Sequence, residues 1–368
     1  MKQTFQQFFA GADIVINGNN PWDIQVKNEA LYARVLSGGG LALGESYMDG
    51  WWDCAAIDQF IDKLIKANLE KKIKISVAVI WNIIKAKITN QQRKSKTYLA
   101  GGWHYDIGND LYKAMLDKRM NYSCAYWKNA ETLDEAQEAK LDLICRKLKL
   151  EPGMSVLDIG CGWGSFAKFA AEKYHVKVLG ITVSPEQVKL AKELCNGSNV
   201  EIKLLDYRDL TGKFERIVSV GMFEHVGHKN HRLFMKVVNT CLKKEGIFLL
   251  HTIGGNISNN SPDPWISKYI FPNSILPSAQ EIAQAAEDIF RLEDWHNFGS
   301  DYDKTLLQWY QNFEQNQDQF KNNYDERFLR MWKYYLLMCA GSFRAYKNHL
   351  WQIVFQKINS QKRYESLR

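Results

Sequence analysis

The stretch Val156–Gly164, "VLDIGCGWG", limits what this chain can fold into more than any other. Apolar Val156 and Leu157 read as the end of a buried strand, Asp158 follows, and glycines stand at 160, 162 and 164. Glycine lets the main chain turn sharply and lets a ligand approach it closely. Strands are expected at "SVLDIG", "KVLGIT", "EIKLLD", "RIVSVG" and "IFLLHTI", with helices at 164–174, 185–195 and near 230–243. An amphipathic helix from Asp134 to Leu150 leads into this run through Pro152–Gly153. Regular alternation of strand and helix predicts an α/β fold with a doubly wound, Rossmann-like parallel sheet. A nicotinamide-dinucleotide site would need G-x-G-x-x-G and an acid about 20 residues on. Here the spacing is G-x-G-x-G, and the second strand runs into "TVSPEQ" with no acid at its end.

Composition narrows the class. At 368 residues and 46% hydrophobic content the chain can bury a large core and a smaller second one. No stretch approaches the roughly 20 apolar residues of a membrane-spanning helix, and "MKQTFQQFFAGADIVING" lacks a secretion-signal pattern. The seven cysteines are scattered without a C-x-x-C pair, which fits reduced thiols and a cytoplasmic protein. The 12 tryptophans and 13% aromatic content suit an apolar pocket, a membrane interface or an aromatic-rich core.

The net charge of +7 is local. Residues 61–100 hold ten Lys or Arg against Asp62 and Glu70, an excess of eight, so the remainder is close to neutral. In this segment Ile73, Val77, Ile80, Ile84 and Ile88 form one apolar stripe with lysines at both ends, and Trp81 is expected at the headgroup level of a bilayer. A basic amphipathic helix suits an anionic phospholipid surface; a surface helix packed on a core and a phosphate-binding patch have the same pattern. Before it, "DIVINGNNPWDIQVKN" reads as strand, turn at Asn19–Pro21, strand, and "SGGGLALGESYMDGWWD" as a glycine-rich loop and an aromatic turn. A helical pattern runs from Asp58 to Ile88, and "TNQQRKSKTYLAGGW" reads as a polar linker. The expected division is a smaller, mainly helical N-terminal domain over 1–90, a linker over 91–115 and an α/β catalytic domain over 116–368.

"GMFEHVGHKNH" sets Glu224 beside His225, His228 and His231. A zincin needs histidines at i and i+4 with a glutamate after the first, and Gly227 argues against a regular helix, so metal is the minor reading.

The glycine loop with its acid two residues ahead resembles the S-adenosylmethionine site of class I methyltransferases. Further motifs, in order, are "HYDIGNDLY", "MNYSCAYW", "GITVSPEQ", "RIVSVGMFEHVGHKN", "LLHTIGG", "PWISKYIFP", "EDWHNFGSDYDKTLLQWYQNF" and "YYLLMCAGSFR". Together they resemble the cyclopropane-fatty-acyl-phospholipid synthase family and its mycolic acid relatives, from about Trp103 onward. The resemblance implies transfer of a methylene from S-adenosylmethionine to the cis double bond of an unsaturated phospholipid acyl chain. The ring closes through a carbocation that bound bicarbonate deprotonates. The alternative within the chemistry is a methyl-branched lipid, or methylation of a small amine or head group.

The implied catalytic set falls on Cys124, Glu224, His251, Ile253 through its N–H, and Tyr302. Glu224 is expected to take the bicarbonate proton or to orient His251. The cofactor set falls on Tyr122, Ser123, Asp158, Gly160, Gly162, Trp163, Gly164, Thr182, Gln187, Asp206, Tyr207 and Arg208. Thr182 and Gln187 replace the acid with which many class I enzymes hold the ribose, and Tyr207 offers a ring to adenine. The partners implied are a bilayer surface at the inner membrane and an acyl chain, with no nucleic acid; pairing into a homodimer would add avidity there. Cys339 is expected to be packing. Trp309 and Tyr335 line an acyl tunnel or fill the core.

Overall fold

The computed structural model describes residues 2–69, 108–258 and 262–368. The basic segment with its stripe from Ile73 to Ile88, Lys71, Lys72, Lys74 and most of the expected linker lie outside the described residues. The described residues group into two units, and the grouping is not a single cut along the chain. The first draws on residues 2–69, 262–272 and 302–348; the second draws on residues 108–258, 273–301 and 349–368.

The first unit is helical around an aromatic core. Phe5 and Phe9 of the helix Lys2–Ala10 meet edge to face at 4.5 Å, and Phe9 meets Phe60. The long helix Glu326–Arg344 is capped by Asp325, whose carboxylate accepts the Phe328 N–H at 2.7 Å. It packs on the helix Ile57–Lys66 so closely that a Cβ on Gly341 would sit 2.3 Å from the Asp58 carbonyl. Arg344 fixes the contact by pairing with Asp58 and Asp303.

Two expectations for this unit are corrected. "SGGG" is not a loop: it lies inside the helix Ala30–Met48, and only Gly39 leaves helical geometry, at φ 62° and ψ −144°. The buried stripe Leu31, Val35, Leu43 and Tyr47 holds both halves of the helix to the core, and one glycine absorbs the kink. The two strands expected around Asn19–Pro21 do not pair as a hairpin. Ile16 and Ile24 make a single bridge, while β1 (Gln25–Val26) pairs antiparallel with the distant β2 (Trp52–Asp53). The buried Asp23 carboxylate takes the Val15 and Asn20 N–H groups, both at 2.8 Å, which closes the turn without a ladder.

The second unit is a seven-stranded sheet. Its strands are β3 (Ser155–Ile159), β4 (Lys177–Thr182), β5 (Val200–Leu204), β6 (Phe214–Val220), β7 (Leu242–Gly254), β8 (Phe290–Asn297) and β9 (His349–Lys357). Their order is β5-β4-β3-β6-β7-β9-β8. The first five in chain order are parallel and match the strands expected from sequence; β9 runs antiparallel between β7 and β8. The strands are buried on both faces of the sheet. Leu157, Ile217, Phe248 and Leu250 face one apolar cluster, Val156, Val218 and Leu249 the other. The residues 109–115, assigned to the linker, form a helix that buries Leu111, Tyr112 and Met115. The helix Leu133–Lys147 begins with a complete capping box between Thr132 and Glu135. The chain runs from β3 outward to β5, then returns to the other side of β3 with β6, so the crossovers diverge between β3 and β6. Open α/β sheets bind ligands at the carboxyl ends of strands at such a switch point.

Candidate active site

The glycine loop leaves the carboxyl end of β3, and the N–H groups of Gly160 and Cys161 both donate to the Ile181 carbonyl of β4. Gly160, Gly162 and Gly164 take φ of 86°, 54° and 85°. Packing alone requires two of them: a Cβ on Gly160 or on Gly164 would sit 2.6 Å from Met222 or from Cys195. A Cβ on Gly162 would meet nothing within 4 Å, so the middle of the loop borders open space.

Around the loop stand the other expected cofactor residues. At the end of β4, Thr182 Oγ1 donates to Gln187 Oε1 at 2.6 Å, which leaves the Gln187 amide nitrogen to donate elsewhere. After β5, Asp206 Oδ1 accepts from the N–H and Nε of Arg208, while buried Oδ2 has no partner among the described residues. The Tyr207 ring packs edge-on to Phe234 with the Arg208 guanidinium over it. Trp163 lies against Tyr112, and Tyr112 against Tyr122. Buried Asp158 has its carboxyl pushed up to about 7 by desolvation, with the Lys140 charge pulling the other way. Open main chain, an amide donor and an unsatisfied carboxylate oxygen suit the hydroxyls and amine of S-adenosylmethionine.

Cys124 sits on a strap that buried polar side chains hold in place. Asp117 accepts the Asn121 N–H and side-chain amide, and Gln137 donates to the Ser123 carbonyl at 2.9 Å. Lys140, fully buried in the helix Leu133–Lys147, donates to Asn121 Oδ1 at 3.0 Å and Ser123 Oγ at 2.9 Å. Burial pulls its pKa down to about 8, against the fields of Asp117, Cys124 and Asp158. Neither Gln137 nor Lys140 stands out in the sequence; helical spacing marks both as ordinary polar positions.

Glu224 follows β6 in the 3₁₀ turn Phe223–His225. Its Oε1 accepts the Ile253 N–H at 2.7 Å, so that N–H, expected to face an anion, is held by the carboxylate. Its Oε2 is buried with no partner among the described residues. Desolvation pushes the carboxyl up to about 7, against the hydrogen bond from the Ile253 N–H. His251 lies on neighbouring β7, in register with Val220 of β6. It is buried, and desolvation together with the charges of Lys140 and Lys147 keeps the ring neutral. Its Nε2 has no partner among the described residues, and its Nδ1 faces Gln352 at 3.3 Å, a residue the sequence reading misses. The strap meets this region at Gly221, where a Cβ would sit 4.0 Å from Ser123 Cβ.

Tyr302 belongs to the first unit, where its ring lies 4.6 Å from Phe343 and edge-on to Trp309. The three loop histidines do not converge with Glu224. His231 opens the helix His231–Cys241 and stacks on Phe223 at 4.3 Å, and Gly227, at φ 77°, separates two 3₁₀ turns. Cys339 has a thiol pushed up to about 12 by burial, and Trp309 and Tyr335 are buried in the first unit.

A sheet of this order with a glycine loop after β3 defines the class I S-adenosylmethionine-dependent methyltransferases. Structural comparison agrees. A crystal structure of a mycolic acid cyclopropane synthase complexed with SAH and CTAB aligns with TM-score 0.67 and 33% identity, covering 71% of this chain and 98% of that one. The family model for mycolic acid cyclopropane synthetase matches residues 92–353. Over 351 residues the chain is 53% identical to the cyclopropane-fatty-acyl-phospholipid synthase of Escherichia coli K12, covering 95% of this chain and 92% of that protein. A probable fatty acid methyltransferase of Pseudomonas putida is 39% identical over 268 residues, 69% of this chain and 68% of that protein. The chain belongs to the cyclopropane synthase family and is an S-adenosylmethionine-dependent methyltransferase.

Proposed function

We propose that this enzyme transfers a methylene from S-adenosylmethionine to the cis double bond of unsaturated phospholipid acyl chains, and that bound bicarbonate is the base that closes the ring. The observation that carries the reading is a pair of buried polar atoms with no partner among the described residues, Glu224 Oε2 in the turn after β6 and His251 Nε2 on neighbouring β7. In the proposed reaction the cofactor supplies an electrophilic methyl and the anion accepts a proton from it. A carboxyl with a raised pKa is half protonated near neutrality and can donate to an anion instead of repelling it. A neutral imidazole can donate from Nε2. Phe298, edge-on to His251, and Tyr126 beside it offer apolar faces that keep water from a carbocation and suit its charge. Tyr302 completes the set that the resemblance supplies. Action at the inner membrane surface follows from the lipid substrate and the basic segment; no described helix is long and apolar enough to cross a membrane.

The test is incubation with S-adenosylmethionine and vesicles of unsaturated phospholipid. The expected product gains one carbon and two hydrogens and loses its alkene. The likeness to a fatty acid methyltransferase supports a second reading, methyl addition without ring closure; a product that gains the carbon but keeps a double bond establishes it. In carbonate-depleted buffer the rate falls and added bicarbonate restores it; a rate indifferent to bicarbonate overturns that part. His251→Ala and Tyr302→Phe slow turnover far more than they weaken cofactor binding; equal losses in both count against the catalytic set.

A further inference from the structure

Strand β9 is apolar from Leu350 to Phe355 except at one position, Gln352, which is completely buried. Burying a primary amide is costly unless its groups are paired. The next buried glutamine on the strand, Gln356, is accounted for by packing of the sheet edge, since its Oε1 accepts from Arg291 at 3.0 Å. Gln352 has no such charged partner among the described residues. Register places it directly across from His251 on β7 and from His296 on β8. Its Nε2 lies 3.3 Å from His251 Nδ1, and its Oε1 has no partner among the described residues. An amide NH₂ can only donate, so the ring nitrogen that meets it must accept. A neutral imidazole has one donor and one acceptor, and which nitrogen is protonated follows from the bond the other makes.

We propose that Gln352 is a positioning residue: its side-chain amide donates to His251 Nδ1 and thereby fixes the ring proton on Nε2, so that His251 presents a donor to the anion. This deepens, and rests on, the reading of His251 as an anion ligand. The neutral state of the ring supports it, because an imidazolium would have no acceptor for the amide.

The tautomer is read directly by long-range ¹H–¹⁵N spectra of the full-length protein labelled at its eight histidines, with His251→Asn assigning the signal. The expected wild-type ring is Nε2–H. Q352L releases it to a mixture of tautomers, and Q352E reverses it, because a carboxylate accepts from Nδ1–H. Loss of one buried hydrogen bond predicts roughly tenfold lower turnover for Q352L. Raised bicarbonate restores part of it, and affinity for S-adenosylmethionine stays at the wild-type value. An Nδ1–H ring in the wild type overturns the proposal, as does a Q352L protein that keeps both the Nε2–H ring and full turnover. Should Q352L fail to fold, the isosteric Q352E carries the same readout. An Nε2–H ring that depends on Gln352, in an enzyme indifferent to bicarbonate, supports the assignment of the tautomer and overturns the bicarbonate reading.

Discussion

Glu224 shows how burial and chemistry act through one carboxyl. Its pKa is raised from 4.5 to about 7, so the folded protein holds a proton that the unfolded chain releases. Stability from this group is therefore fully present below about pH 4.5 and is lost as pH rises through 7. Glu224→Gln mimics the protonated form and removes the loss. Its stability relative to wild type should rise by about 2 kcal/mol between about pH 5.5 and pH 8.5 in denaturant titrations, with turnover down roughly 100-fold. A pH-independent difference would mean that the carboxyl titrates normally. The glycine loop and Glu224 were legible in the sequence, because a motif and a strand end mark both. Gln352 was not: one glutamine in an apolar strand carries no pattern, and only cross-strand register shows what it faces.

At the scale of elements, the helix Leu133–Lys147 connects stability to the site through the strap that bears Cys124. Thr132→Ala removes its capping bond and should cost about 1 kcal/mol with little change in turnover. Lys140→Met keeps the length of the side chain but strands Asn121 Oδ1 and Ser123 Oγ in the core. The expected loss is about 2–6 kcal/mol, because two buried groups are left unsatisfied and each costs about 1–3. Alkylation of Cys124 in the native protein, followed by peptide mass spectrometry, should quicken; a protected Cys124 would show that the strap does not need the lysine. The parallel strands were legible from their alternation with helices. Strands β8 and β9 were not, because a helical segment separates them in the chain and neither belongs to a strand–helix repeat. The kinked helix at Gly39 was hidden because three glycines in a row resemble a loop until the buried stripe on either side is known.

For the whole molecule, the uneven charge gives the most direct prediction. Lysines near an anionic bilayer contribute about 1 kcal/mol each, so replacing Lys71, Lys72 and Lys74 together by glutamine should weaken binding to anionic vesicles roughly 100-fold at low salt. Binding that does not change across a salt series would remove that segment from the membrane role. The class of fold was readable because strand, loop and helix recur in step. The grouping of Tyr302–Asn348 with the N-terminal residues was not, since no change of composition marks where the chain leaves one unit for the other. The insertion of β9 between β7 and β8 also sets an order in time. On the ribosome, β7 and its His251 emerge nearly a hundred residues ahead of the strand that must lie beside them. Until residues 349–357 have been made, β7 has an open edge, β8 has no neighbour in the sheet, and the ring of His251 lacks the amide that aligns it. The alignment of His251 thus waits on a strand made about a hundred residues later.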